Sequence, residues 1–428
     1  MSPESVMSSP LELSPNSMQP HWSERWLRRA VFQRLEKLAQ GCVTVVDADG
    51  AHAFGQVSAD CPLRATVVIH DPNAYQRLAL RGSIGVGEGY MQGEWSCDDL
   101  PSLVRIFVIN QDALLELEKG LTRLMMPLFR WLYARRDNSQ RGSRANIAAH
   151  YDLGNEFYRL FLDETLMYSS AIFPTPDAGL REASIAKLDC ICRKLDLNPE
   201  DHLLEIGSGW GGFALYAAQH YGCRVTTTTI SQEQYRLTCE RVREAGLEEQ
   251  ITVLCQDYRD LRGHYDKLVS IEMIEAVGER HLETYFRTCA QLLKPCGMML
   301  LQAITIADQK YDQYRREVDF IRHYIFPGGF LPSITTIAET LTRATDLRVF
   351  HLEDIGAHYA TTLHHWRERF LINLDRVQAL GFPETFIRMW DYYLCYCEGG
   401  FRERAIGTVQ VLMTKPLCRR EPLTLALG

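Results

Sequence analysis

The chain has 428 residues, 46% hydrophobic and 23% charged, an ordinary globular composition with length for two to three domains or one large domain with an attachment. A formal net charge of −8 argues against a nucleic-acid-binding surface, and no apolar run reaches the ~18 residues that suggest a membrane span. The 13 cysteines, odd in number and without a C-x-x-C pair, point to reduced, buried side chains of a cytosolic protein, and no metal site is expected.

Residues 1–21, beginning "MSPESVMSSPLELSPNSMQP", are rich in Ser and Pro, lack the pattern of a secretion signal, and are expected to be a disordered tail. A first unit follows over 22–136. Within it "VTVVDADGAHAFG" and "RATVVIHDP" read as strands, with Asp49-Gly50 as a hairpin turn. "GSIGVGEGYMQGEWSCDDLPSLVRIF" reads as a glycine-rich loop leading into a helix. Leu117, Leu121, Leu124, Leu128, Trp131 and Leu132 then recur at helical spacing, with Pro127 as a kink. Between Lys119 and Ala145, Lys119, Arg123, Arg130, Arg135, Arg136, Arg141 and Arg144 face the single acid Asp137. That cluster suits an anionic surface, and equally a solvated helix and linker. The polar stretch 137–145 is the expected linker to a second domain over 146–428.

In the second domain strands and helices alternate: "DHLLEIGSG", "CRVTTTTIS", "ITVLCQD", "YDKLVSIEM" and "GMMLLQAITI" are strands separated by helical text. Alternation of this kind implies a doubly wound, largely parallel α/β sheet. "EIGSGWGG" places Gly207, Gly209, Gly211 and Gly212 between a strand and a helix, where glycine permits a tight turn and close ligand approach. A dinucleotide fold wants an acid near the end of the next strand, yet "VTTTTIS" offers Thr229 and Ser231 and no acid until Glu233. S-adenosylmethionine, which has no pyrophosphate, suits the loop better, with Asp257 and Tyr258 of "CQDYRD" placed for its adenine. Dinucleotide and non-binding variants stay open on pattern alone. "LVSIEMIEAVGE" is a separate puzzle, because Glu272 and Glu275 interrupt an apolar segment, and buried carboxylates need hydrogen bonds, a counter-charge or a proton.

Several segments, in order from Asn146 to Pro416, together resemble the cyclopropane-fatty-acid synthase family of S-adenosylmethionine-dependent enzymes: "NIAAHYDLGNEFYRLFLDETLMYSSAIF", "LLEIGSGWGGFALYAA", "TTTTISQEQ", "LVSIEMIEAVGERHLETYF", "YDQYRREVDFIRHYIFPGGFLPS", "IGAHYATTLHHWRERF" and "YCEGGFRERAIGTVQVLMTKP". The resemblance implies a seven-stranded Rossmann-like methyltransferase domain with helical lid insertions and a smaller α+β N-terminal domain that associates with lipid. It implies transfer of a methyl to the cis double bond of an unsaturated phospholipid acyl chain, then proton loss closing a cyclopropane ring. A related lipid C-methyltransferase giving a methyl-branched or methylene product is the alternative. The resemblance further implies a cytoplasmic protein peripheral to the bilayer, and it suggests a homodimer.

For the donor, the resemblance points to Tyr168, Ser169, Gly207, Gly209, Thr229, Ile230, Gln234, Asp257 and Tyr258. The chemistry also needs a dry cavity whose aromatic faces stabilise a carbocation; Tyr311, Tyr314, Val318, Ile321 and Ile325 form a candidate stripe along one helix. The family's base is a bicarbonate held by a Cys, a Glu, a His and a Tyr. Matched by motif, Glu275 and Tyr359 are two of these, and Cys397 matches a further family cysteine. Two positions depart: Ser170 stands at the Cys and Gln302 at the His, and Gln302 cannot carry a proton as histidine could. Glu272 has no counterpart role.

Overall fold

The structure, a computed structural model, describes residues 22–111 and 153–423. The expected tail, the Leu/Trp stripe, the basic cluster, the linker and the start of the Asn146 motif lie outside these residues.

The first unit runs α1 (Trp22–Leu35), β1 (Gly41–Asp47), β2 (Gly50–Gln56), β3 (Arg64–Ile69), α2 (Asn73–Met91), β4 (Trp95–Cys97) and α3 (Leu100–Ile109). The sheet order is β2-β1-β3-β4. The expected hairpin forms, Asp47 pairing with Gly50, and β3 lies parallel to β1. Alternation along β1 buries Val43 and Val45 against the helices, as a one-sided sheet requires. Asp99 caps α3 by accepting from the Ser102 amide.

One reading of this unit is corrected. The glycine-rich stretch is not a loop but the second half of α2, broken only at Gly82 (φ 56°). Its glycines serve close packing rather than turning: a Cβ on Gly87 would lie 2.3 Å from the Phe320 ring of the second domain. The same seam carries hydrogen bonds from Tyr90 to Asp391 (2.7 Å) and from Tyr324 to Glu88 (2.5 Å).

The second domain begins with α4 (Asn155–Arg159) and α5 (Leu180–Leu195). Then come β5 (His202–Ile206), α6 (Gly212–Tyr221), β6 (Arg224–Thr229), α7 (Gln232–Glu244), β7 (Ile251–Cys255), β8 (Tyr265–Ile271), α8 (Leu282–Leu292) and β9 (Leu293–Ile306). After α9 (Asp308–Tyr314) a π-helical turn, Ile321–Ile325, leads to α10 (Ile334–Ala344), β10 (Arg348–Asp354), α11 (Gly356–Ile372), α12 (Leu374–Ala379), α13 (Glu384–Arg402) and β11 (Ile406–Thr414). The seven strands are ordered β10-β11-β9-β8-β5-β6-β7. β5 to β9 are parallel, whereas β11 is antiparallel to both its neighbours. The chain adds β6 and β7 on one side of β5 and β8 and β9 on the other, so the carboxyl ends of β5 and β8 open a crevice of the kind that binds ligands in such folds. Among the described residues no helix is long and apolar enough to cross a membrane.

Candidate active site

The glycine loop sits in that crevice. Gly207 (φ 97°), Gly209 (φ 49°) and Gly211 (φ 83°) all take the left-handed backbone that favours glycine. A Cβ on Gly211 would lie 2.8 Å from Thr238 Cγ2, and one on Gly207 would lie 3.1 Å from Met273 Cγ. The amides of Gly207 and Ser208 both donate to the Thr228 carbonyl, which pins the loop to β6. At the end of β6, Thr229 Oγ1 donates to Gln234 Oε1 (2.8 Å), and Ser231 caps α7. Asp257 is held in a fork by Arg259, Nε to Oδ1 at 2.8 Å and the terminal nitrogen to Oδ2 at 2.7 Å. That two-point pairing fixes the direction of the Asp257 carboxyl group. Tyr168, Ser169, Ile230 and Tyr258 line the same cavity as these residues, so all nine expected donor-site residues face one space. A small-molecule donor presented by backbone approach fits this cradle.

The cavity has a volume of about 680 Å³ and does not stop at the crevice. It runs on between the domains to an apolar lining of Val45, Val67, Ile69, Leu78, Leu103 and Phe107 in the first unit. Its aromatic wall differs from the expected stripe. The segment 311–325 is not one helix: α9 ends at Tyr314, and Val318 and Ile325 are buried on their own side of the break. Tyr314 and Ile321 still reach the cavity, and further aromatic side chains line it from α13 and α11: Tyr392, Tyr393, Tyr396 and Tyr359. Tyr393 and Tyr168 are joined hydroxyl to hydroxyl at 2.9 Å.

The two acids of "IEMIEAVGE" both face the cavity, in unequal settings. Glu272 is a hub. Its Oε1 accepts from the Ser170 amide (2.9 Å) and from Gln302 Nε2 (2.8 Å), and its Oε2 accepts from Tyr359 Oη (2.7 Å). Its backbone is left-handed (φ 47°), a conformation that costs a non-glycine residue ~1–3 kcal/mol. Burial raises its pKa, opposed by Tyr359, Gln302, the Ser170 amide and the charge of Lys187. Glu275 has one bond, from the Ile304 amide to Oε1 (2.6 Å), while Oε2 has no partner. Burial, and next the charge of Glu272, push its pKa up to about 8, so it is neutral at pH 7.

Sequence reasoning missed Lys187. It is fully buried on α5, donates to Ser169 Oγ (2.9 Å), and burial pulls its pKa down to about 8 against the charges of Glu272, Asp163 and Glu205. The signal was available: Lys187 stands on the same helical face as Ala183 and Ile191.

Two expected catalytic residues sit behind the cavity wall. Ser170 and Gln302 are completely buried and do not line the cavity; Glu272 stands between them and it. The Ser170 hydroxyl turns to its neighbour's carbonyl. Gln302 is oriented from behind, its Oε1 accepting from Gln410 Nε2 (2.9 Å), whose own oxygen takes Lys194 (2.6 Å). The amide nitrogen of Gln302 therefore points at Glu272. Cys397 lines the cavity with its pKa pushed up by burial, so it is a neutral wall and not a nucleophile. The positions that the resemblance reserves for bicarbonate do not fit one: the Ser170 amide, Gln302 and Tyr359 are already committed to a carboxylate of the chain itself.

Residues 138–411 match the family model described as mycolic acid cyclopropane synthetase. The tuberculostearic acid methyltransferase UfaA1 of Mycobacterium tuberculosis is 40% identical over 82% of this chain and 83% of its own length. The cyclopropane-fatty-acyl-phospholipid synthase of Escherichia coli K12 is 39% identical over 82% of this chain and 88% of its own. Among solved structures, the mycolic acid cyclopropane synthase CmaA1 complexed with SAH and CTAB superposes with a TM-score of 0.60 at 33% identity, covering 64% of this chain and 98% of that one.

Proposed function

This chain belongs to the mycolic acid cyclopropane synthetase family, and from that premise we propose that it methylates the cis double bond of an unsaturated phospholipid acyl chain and closes a cyclopropane ring. The observation that carries the reading is the single cavity joining the glycine cradle to an apolar lining in the first unit. One end suits a polar, backbone-presented donor and the other a hydrocarbon chain. When bound, S-adenosylmethionine supplies an electrophilic methyl on a sulfonium centre. An isolated alkene needs no base before it attacks such a methyl; it needs alignment and a dry site. Alignment falls to the glycine loop, Thr229, Gln234 and Asp257. The carbocation left on the chain is flanked by the faces of Tyr359, Tyr393 and Tyr396, which stabilise positive charge without capturing it.

The donor end has support from the SAH bound in the CmaA1 relative. The acyl end has support from the E. coli relative, whose name states a phospholipid substrate. Access to such chains requires binding at a bilayer surface without a span, and the basic residues 119–144 are the contact this reading assigns. Binding to anionic vesicles should then weaken as salt rises.

Similarity to UfaA1 favours a second reading, because that relative is a methyltransferase rather than a ring-closing synthase by name and is as similar as the synthase. The same cation would then lose a different proton and give a methyl-branched or methylene chain. Purified enzyme incubated with donor and unsaturated phospholipid, followed by proton NMR of the fatty esters, separates the two: upfield ring protons support closure, and their absence from a methylated product sinks it.

A further inference from the structure

Ring closure leaves one proton to remove, and the cavity wall holds a carboxylate with room to take it. A carboxylate has about four acceptor positions; Glu272 uses three, two on Oε1 and one on Oε2. Its three donors come from three distant segments, at 170, 302 and 359, so the group is fixed from every side except the cavity. Met273, its neighbour, packs against Gly207 of the donor loop, which sets Glu272 beside the donor end of the cavity. Lys187, fully buried, supplies a compensating positive charge. The left-handed backbone at Glu272 costs free energy, the kind of strain that gathers at functional positions.

We propose that the Glu272 carboxylate is the built-in proton acceptor of the reaction and replaces any bound bicarbonate. This rests on the lipid-methylation reading above. The π pair of the alkene forms a bond to the donor methyl as the carbon–sulfur bond breaks, its pair staying on sulfur and the positive charge passing to the other alkene carbon. A C–H bond of the delivered methyl then breaks, its pair closes the ring, and the proton goes to Oε2 of Glu272. Tyr359, Gln302 and the Ser170 amide are positioning groups that hold the carboxylate. The proton leaves to water once product release opens the cavity. Glu275, whose carboxyl burial and the Glu272 charge push up and which holds a single hydrogen bond, is the weaker candidate.

The test uses full-length protein, Glu272→Gln and Glu272→Gly; glycine accepts the left-handed backbone, so the second variant relieves strain rather than adding it. Calorimetry with S-adenosylmethionine confirms that each variant binds donor. In CO2-depleted buffer, wild-type turnover should stay within about twofold of that with added bicarbonate, while Glu272→Gln falls on the order of 100-fold or more, as loss of a general base does. Glu272→Gly frees three donors around an empty space, so added bicarbonate should restore it about tenfold. A readout independent of turnover is the NMR line of isotope-labelled bicarbonate, which should broaden with Glu272→Gly and not with wild type. Wild-type stimulation of tenfold, broadening by wild type, or a fully active Glu272→Gln would overturn the proposal. If no protein methylates any lipid, the function fails, and the bicarbonate line still decides this question alone.

Discussion

Glu275→Gln separates the two acids of the site through stability as well as turnover. In the folded protein the Glu275 carboxyl is raised from an ordinary 4.5 to about 8, first by burial and then by the charge of Glu272. A raised acid binds its proton more tightly when folded, so it adds stability that is complete below about 4.5 and disappears as pH climbs to about 8. Glutamine keeps an oxygen for the Ile304 amide but has no proton to lose. The variant should match wild type near pH 5 and gain on it by ~1.4 kcal/mol per pH unit, reaching no more than about 4 kcal/mol near pH 8, since water in the cavity screens part of the effect. Urea unfolding midpoints at about four pH values between 5 and 8, with unchanged slopes, measure this directly. Because the group is already neutral at pH 7, turnover should remain within about tenfold of wild type, less than the 100-fold or more expected for loss of a general base. A stability difference that does not change with pH, or a collapse in turnover, would refute the assignment of Glu275 as a neutral wall residue.

Gly211→Ala places a methyl 2.8 Å from Thr238 Cγ2 in a left-handed residue, so donor affinity by calorimetry should drop at least about tenfold and stability by ~1–3 kcal/mol. Arg259→Met frees Asp257 from its fork; KM for the donor should rise about tenfold with kcat little changed, as for a lost uniform binding interaction. Leu78→Trp narrows the apolar end of the cavity, and turnover of long-chain phospholipid should fall while donor binding is kept; equal losses in both would contradict an acyl role for that end.

Local chemistry made much of this site readable. The strand-glycine-helix order of "LLEIGSGWGGFALYAA" needs only φ freedom and close approach, and Gly207, Gly209 and Gly211 behave accordingly. The hairpin of β1 and β2 was equally local. What escaped depended on partners far away in the chain. The glycines of α2 read as a loop because glycine usually breaks helices, yet Gly87 is there to admit the Phe320 ring. The stripe at 311–325 assumed one unbroken helix, which a π-helical turn interrupts. β10 has no clean alternation because it is an exposed edge, and β11 is buried from Thr408 to Thr414 with its polar Thr408 and Gln410 included, so neither face is exposed. Most instructive is Glu272: its role follows from one left-handed residue that turns a carboxylate toward donors 102 residues before it and 30 and 87 after it. Ser170 and Gln302 looked like defects in a bicarbonate site, and they are the holders of that carboxylate.

On the proposed function, this chain places a methyl carbon on the double bond of a membrane acyl chain and closes a ring. Expression in a host that makes unsaturated phospholipids but no cyclopropane lipids, followed by proton NMR of the extracted fatty esters, addresses it most directly. Upfield ring protons should appear while olefinic protons decline. Unchanged lipids from cells containing folded, donor-binding protein would contradict it.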